Sequence, residues 1–411
     1  MRHTGYLVAI IVGSAGLAGG WARIEPPESR HDRVRPGLEV LLSDSLPLVR
    51  GKRVGLVTNQ AGVDAEGRSA VDRLRAAPLT LAALFSPEHG FRGAAPPGAP
   101  VASTTDSATG LPIYSLYGAT TAPTDAMLAG LEVLLVDLQD AGARYYTYLW
   151  TTVQVMRSAA RHGIPVVVLD RPNPIGGSVE GNLPDSSYRS PVGVLEVPMR
   201  HGMTLGELAR LARDELGLQA ELHVVPASGW RREMYLDETG LPFVPPSPNL
   251  RSLESLLHYP GLCLFEGTNL SVGRGTAAPF EQIGAPWFDP QAVAARFRAA
   301  RLPGVELDAV RFTPRAPGDG KFADTTVRGL RLRVTDRQRY EPTLAAVILL
   351  AAIRSVHPRD FRFDEPRFDR LAGGPALRDA LTRGEAPHRI AAGWQPGIRR
   401  FMERRKPYLL Y

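Results

Sequence analysis

The sequence predicts an α/β protein, with a Rossmann-like parallel-sheet domain in the N-terminal half and a smaller α+β domain after it. Three observations predict this. Near-continuous apolar runs of strand length recur between residues 52 and 225, and segments with apolar residues at helical spacing separate them. The alternation then breaks at a proline-dense stretch holding Pro242, Pro245, Pro246 and Pro248. Strands that read as unbroken apolar runs suit a parallel sheet covered on both faces, and the βαβ alternation supplies the covering helices.

The elements follow in order. Lys52-Arg-Val-Gly-Leu-Val-Thr58, Leu81-Ala-Ala-Leu-Phe85, Val133-Leu-Leu-Val-Asp137 and Val166-Val-Val-Leu-Asp170 are the strands. Between the last two, Leu149, Thr152, Val153, Met156 and Ala160 share one helical face over Tyr148 to His162, and Gly163 ends it. Thr204-Leu-Gly-Glu207 is a capping-box pattern that opens a helix to Leu216, with another strand at Leu222-His-Val-Val225. Prolines around 226–248 resist regular structure and mark a linker or rigid crossing loop. Beyond it lie a helix over Asp289 to Arg301, strands over Val305 to Phe312 and Val327 to Val334, and an apolar helix from Pro342 to Val356. A final amphipathic stretch covers Trp394 to Tyr411. The domains are placed at 36–226 and 227–411.

With 411 residues, 44% hydrophobic and 22% charged, the chain lies in the globular range, which excludes disordered and fibrous classes. The net charge of +6 is scattered without a basic block, so no nucleic-acid groove is expected. Met1-Arg2-His3 followed by an apolar run from Tyr6 to Gly20 reads as a secretory signal over 1–22, with an uncleaved anchor as the alternative. The expected location is therefore periplasmic or secreted, with no membrane span once the signal is removed. Cys263 is a single cysteine in an apolar context, so no intrachain disulfide forms and a buried thiol is expected.

Polar clusters fall where the strands end. Asn59 follows the first strand, and Glu88, His89 and Arg92 follow the second. Asp140 with Arg144, Tyr145 and Tyr146 follows the third, and Asp170, Arg171 and Asn173 the fourth. In an open α/β sheet these ends converge on one crevice. Any single member, such as Asp137 or Asp170, could equally cap a helix or pair with an arginine. The second half adds Phe265-Glu266-Gly-Thr268-Asn269-Leu-Ser271-Val-Gly-Arg274-Gly-Thr276, which lacks phosphate-loop spacing and reads as a loop presenting polar groups, or as a plain glycine-rich connector.

No metal-ligand pattern, no Gly-x-Ser-x-Gly and no activated cysteine is present, so neither a metal nor a cofactor is expected. Carboxylate acid/base chemistry is left, with Glu88, Asp140 and Glu266 as the candidates and His89 or His201 in support. Glycosidic cleavage is the reaction class that most commonly needs it. A non-catalytic fragment receptor and a nucleotide or phosphate-ester binder are the rival readings.

Seven ordered motifs carry a resemblance. Gly55-Leu-Val-Thr-Asn-Gln60, Leu84-Phe-Ser-Pro-Glu-His-Gly-Phe-Arg-Gly93, Asp137-Leu-Gln-Asp-Ala-Gly-Ala-Arg-Tyr-Tyr-Thr147, Leu169-Asp-Arg-Pro-Asn-Pro-Ile-Gly-Gly177, Arg200-His-Gly-Met-Thr204, Pro246-Ser-Pro-Asn249 and Phe265-Glu-Gly-Thr-Asn269 with Gly273-Arg-Gly-Thr276 resemble the exo-acting β-N-acetylmuramidase family. The likeness extends to the closing Arg405-Lys-Pro-Tyr-Leu-Leu-Tyr411, with departures at Ala141 and at Glu180-Gly-Asn182. It implies an active site in the cleft between the two domains, Glu88 as general acid, and removal of terminal N-acetylmuramic acid from non-reducing ends of peptidoglycan fragments. Such a sugar carries a lactyl carboxylate. Arg92, Arg144, Arg171, Arg200 and Arg274 are the arginines placed to bind it, Arg144 or Arg274 foremost. Tyr145, Tyr146, Asn59, Asp170, Asn173, His201, Asn249, Asn269 and Thr276 complete the expected binding set.

Overall fold

The computed structural model describes Met1 and residues 33–411, and the expected signal over 2–22 lies outside these. Helix α1 (Gly37–Asp44) leads into strand β1 (Arg53–Thr58), helix α2 (Ala70–Arg75) and strand β2 (Thr80–Ser86). Two short strands, β3 (Thr104–Thr105) and β4 (Pro112–Ser115), precede helix α3 (Asp125–Leu128) and strand β5 (Val133–Asp137). Helix α4 (Tyr148–Arg161), strand β6 (Val166–Leu169), helix α5 (Leu205–Glu215) and strand β7 (Leu222–Val225) complete a seven-stranded sheet of order β3-β4-β2-β1-β5-β6-β7. All neighbours run parallel except β3, which pairs antiparallel with β4 at one edge.

Side-chain alternation assigns the two faces. Val54, Leu56, Leu135 and Val167 point into a core shared with Leu38, Leu41, Val71 and Leu74 of α1 and α2. Val57, Leu134, Val136 and Val168 point to the other face, where Val153, Met156, Leu208 and Leu211 of α4 and α5 cover them. Thr204 caps α5 through the Glu207 backbone, and Glu207 returns to the Thr204 backbone, so the capping box of the sequence is present. In register, Thr58 of β1 stands beside Asp137 of β5, and Val57 beside Phe85 of β2. The carboxyl ends of the three strands therefore open onto one edge, and β1 lies at the point where the strand order reverses. Crevices form at such a point.

The chain then crosses the molecule through 226–252 in mostly irregular form, as its prolines require. Helix α6 (Leu253–Leu262) continues into a 3₁₀ turn over Cys263–Gly267. Strand β8 (Gln282–Ala285), helix α7 (Pro290–Ala299) and strands β9 (Val305–Phe312) and β10 (Val327–Val334) follow. They form an antiparallel sheet of order β8-β10-β9. Helices α8 (Pro342–Val356), α9 (Glu365–Ala372), α10 (Ala376–Thr382) and α11 (Pro387–Arg405) close the chain. Apolar residues of α6 and α8 belong to the same buried cluster as α4 and α5. The expected strands at 305–312 and 327–334 and the helix at 342–356 stand as read. The last helix begins at Pro387, before the expected Trp394, because Pro387 suits a first helical position and Pro396 is tolerated inside it. Among the described residues, no helix is long and apolar enough to cross a membrane.

Candidate active site

The loop after β2 is built around a tight reversal. The Gly90 amide donates to the Pro87 carbonyl at 3.0 Å, and His89 and Gly90 both take left-handed backbone, φ 73° and 76°. Such a φ is uncommon for a histidine and marks a conformation its surroundings enforce. His89 is held at both ends by Ala95: its carbonyl accepts from the Ala95 amide at 3.1 Å, and its Nδ1 donates to the Ala95 carbonyl at 2.9 Å. That acceptor assigns the ring proton to Nδ1. Burial holds the imidazole below its usual pKa, which favours the neutral ring. Gly93 closes the loop at φ 66°, with Gln60 so near that a Cβ would meet its carboxamide carbon at 2.1 Å.

Turned between these constraints, Glu88 presents a buried carboxyl. Its Oε1 accepts from the Gly98 amide at 2.9 Å and its Oε2 from the Thr147 hydroxyl at 2.7 Å. Tyr117 stands beside it; burial and the Glu88 carboxylate push that phenol up to about 12. Glu88, His89, Tyr117 and Thr147 form one wall of a cavity of about 330 Å³.

Tyr145, Tyr146, Tyr259 and Phe280 form an aromatic side, with Tyr259 edge-on to Phe280 at 5.0 Å. Glu266, Arg274, Arg367 and Arg370 also line the cavity. Glu266 accepts from Arg274 through Nε at 2.6 Å and Nη2 at 2.5 Å. Arg274 sits between two glycines in left-handed backbone, and a Cβ on Gly275 would meet the Arg315 carbonyl oxygen at 2.4 Å. Below the turn, the Lys321 ammonium donates to the carbonyls of Glu266, Thr268 and Leu270 at 3.0, 2.6 and 3.0 Å. Burial pulls this ammonium down to about 8.

Of the residues singled out in the sequence, Glu88, His89, Tyr145, Tyr146, Glu266 and Arg274 come together in the lining. The others do not, because they knit the scaffold. Arg144 is buried with its guanidinium on the carbonyls of Asn182, Val197 and Leu371, so it faces backbone instead of the cavity. Arg171 grips Asp137 at 2.6 and 3.1 Å, and Arg200 pairs with Glu180 at 2.6 Å. Arg92 is largely exposed, 3.4 Å from Asp106.

Asp140 accepts from the Gly142 amide at 2.7 Å and lies 3.4 Å from His201 Nε2, both of them buried outside the lining. Asn59 donates to the Tyr148 hydroxyl, and Asn173 to the Met203 carbonyl. Asp170 accepts from Thr204 and Gly206 at the start of α5, and burial raises it to about 6. Asn269 is tied to the 360–362 segment. Thr276 donates to the Gly273 carbonyl, and Asn249 lies between the lining residues Ser247 and Leu250. Among the aromatic and charged lining residues, Tyr117, Tyr259, Phe280, Arg367 and Arg370 escaped the sequence reading. The arginines lie three residues apart on α9, in a polar segment with no motif to flag them.

Comparison with known proteins decides the family. A model described as exo-β-N-acetylmuramidase NamZ, N-terminal, matches residues 54–254, and its C-terminal counterpart matches 257–411. A peptidoglycan β-N-acetylmuramidase NamZ from Bacillus subtilis (strain 168) is 42% identical over 419 aligned residues, spanning 100% of both chains. The chain belongs to the NamZ exo-β-N-acetylmuramidase family. Two solved structures of DUF1343 family proteins from Bacteroides fragilis NCTC 9343 share the fold, with TM-scores of 0.84 and 0.76 at 33% and 34% identity. Each alignment covers 92% of this chain and 99% of the other. Both NamZ models contribute to the cavity: Glu88 lies in the N-terminal match, Glu266 and Arg274 in the C-terminal one.

Proposed function

We propose that the protein is an exo-acting glycoside hydrolase that removes β-linked N-acetylmuramic acid from the non-reducing ends of peptidoglycan fragments, with Glu88 as general acid. The observation that carries this reading is the placement of Glu88. Its carboxyl is oriented by the Gly98 amide and the Thr147 hydroxyl at the wall of a sugar-sized cavity, in a chain matching NamZ along its length. Departure of a sugar alkoxide needs a proton at the glycosidic oxygen, and a fixed carboxylic acid supplies it. Tyr145, Tyr146 and Tyr259 offer the apolar faces and phenolic edges on which pyranose rings pack. The arginines opposite suit a sugar that carries a carboxylate.

The basic start and apolar run at 1–22 support export, to the periplasm or beyond, which is where such fragments arise. Incubation with a muramic-acid-terminated disaccharide, followed by mass spectrometry, tests the reaction. Release of free N-acetylmuramic acid is expected. Saturable binding of an uncleaved disaccharide would return the receptor reading in its place.

A further inference from the structure

We propose that Arg274 determines specificity by holding the carboxylate of the bound sugar, and that Glu266 is its positioning partner and not a second proton carrier. The inference rests on the muramidase reading. Arg274 is 7% exposed, and its guanidinium is divided in use. Nε and Nη2 are fixed by Glu266, the ring of Phe280 lies 5.0 Å from Cζ, and Nη1 is buried with no hydrogen-bond partner among the described residues. A buried, unsatisfied donor of a charged group is costly, and a cavity that keeps one is short of an acceptor. Arg274 itself lines the cavity, so a ligand can supply that acceptor.

The charge of the cavity points the same way. Among the described residues, its lining holds two carboxylates, Glu88 and Glu266, against three guanidiniums, Arg274, Arg367 and Arg370. Glu266 lies within salt-bridge reach of both Arg274 and Arg367, the latter at 3.8 Å. With Glu88 protonated as the general acid, three guanidiniums face the single carboxylate Glu266, and an anionic substituent on the substrate supplies a fitting counter-charge. In N-acetylmuramic acid that substituent is the lactyl carboxylate. Arg144, the other foremost arginine, has no such capacity, because backbone carbonyls occupy both of its terminal nitrogens.

The same geometry assigns Glu266 its role. Arg274 Nε and Nη2, and Arg367 Nη2 at 3.8 Å, all meet the same oxygen of Glu266, Oε1, so this carboxylate is engaged in holding guanidinium groups. Holding Nε and Nη2 at one oxygen fixes the plane of the guanidinium and leaves Nη1 as its unpaired nitrogen among the described residues, and Lys321 fixes the backbone that carries Glu266.

The test compares binding of N-acetylmuramic acid and its lactyl methyl ester, by calorimetry, with turnover of an aryl β-muramide followed in parallel. Wild-type protein is expected to favour the acid about 10- to 100-fold, the range of a buried charge-assisted contact. Arg274→Gln, checked for folding by thermal unfolding, is expected to bind both alike, and Arg274→Lys to fall between. Glu266→Gln is expected to raise KM for the muramide more than it lowers kcat, and to leave the pH-rate profile in place. Acid and ester bound alike by wild-type protein, with muramides still cleaved, overturns the assignment of Arg274. That comparison needs no variant to fold. No cleavage of any muramide overturns the reading beneath it, and the assignment with it. Loss of one limb of the pH profile in Glu266→Gln would make Glu266 a proton carrier after all.

Discussion

Thr147 stands at the N-cap of α4, where a hydroxyl ordinarily satisfies the first turn, yet it makes no capping bond and donates its hydrogen bond to Glu88. A local rule set aside at one residue is a mark of function, and here the helix forgoes a side-chain cap while the same hydroxyl orients the Glu88 carboxyl. Thr147→Val keeps the shape and removes the donor to the buried Glu88 carboxyl, so kcat is expected to fall about tenfold, with a stability loss of about 1–3 kcal/mol. Thr147→Ser should restore most of the rate. His89 supplies a second test. Its folded pKa lies below the ordinary 6.5, so as pH falls the unfolded chain takes up this proton first. Stability from this group is therefore full above about 6.5, is lost on descending below it, and levels off once the folded ring is itself charged. His89→Asn tolerates the left-handed backbone and should flatten that part of the dependence of Tm on pH. An unchanged slope in the variant would show that His89 is not its source.

Between residues and the whole fold, the proline-dense crossing is the element that matters most. Tyr146 and Tyr148 both donate to the Pro246 carbonyl at 2.8 Å, and Gln60 donates to the Pro245 carbonyl at 2.7 Å. Prolines lack amides to bond, so the segment is held by its carbonyls, and Gln60 and Tyr146 from loops of the parallel sheet and Tyr148 at the start of α4 hold them. Tyr148→Phe leaves the Asn59 amide without its acceptor and is expected to destabilise the protein by about 1–3 kcal/mol in denaturant unfolding. Strands β1, β2, β5, β6 and β7 and helices α4 and α5 were legible because burial on both faces makes apolar runs of the right length and amphipathic helices between them. Strand β4 and helix α6 were not, since Pro112 and Pro260 lie within them and break the local pattern. Pairing with β2 and packing in the shared core override that preference.

Across the molecule, the polar strand-end clusters were legible as a converging set, but which of them face the cavity was not. Asp137 with Arg171, Arg200 with Glu180, and Asp140 with His201 satisfy one another inside the scaffold. Such partners are chosen by three-dimensional proximity that no spacing encodes. Arg367 and Arg370 reach the cavity from about a hundred residues beyond Glu266 for the same reason. The end of the chain shows how the halves are joined. The Tyr411 hydroxyl donates to Asp170 at 2.7 Å and accepts from the Ala227 amide at 2.8 Å, while Leu410 donates to Glu207 at 2.8 Å. Arg405 donates to the carbonyls of His201 and Gly202, each at 3.0 Å. The last seven residues are thus a strap over the β6, β7 and α5 side of the parallel sheet. Tyr411→Phe leaves a buried carboxyl and a buried amide each short of a partner, for an expected loss of about 1–3 kcal/mol in denaturant unfolding. An unchanged midpoint would show that the strap carries no load.

The role of Glu88 is tested most directly by comparing Glu88→Gln with wild type on two substrates, a muramic-acid-terminated disaccharide and an aryl β-muramide with a good leaving group. A general acid matters most where the leaving oxygen most needs a proton, and its removal ordinarily lowers rates by about 10²–10⁴-fold. The disaccharide should lose that much in kcat, the aryl glycoside much less, with the fold intact by circular dichroism. Equal turnover of the disaccharide by variant and wild type would contradict it.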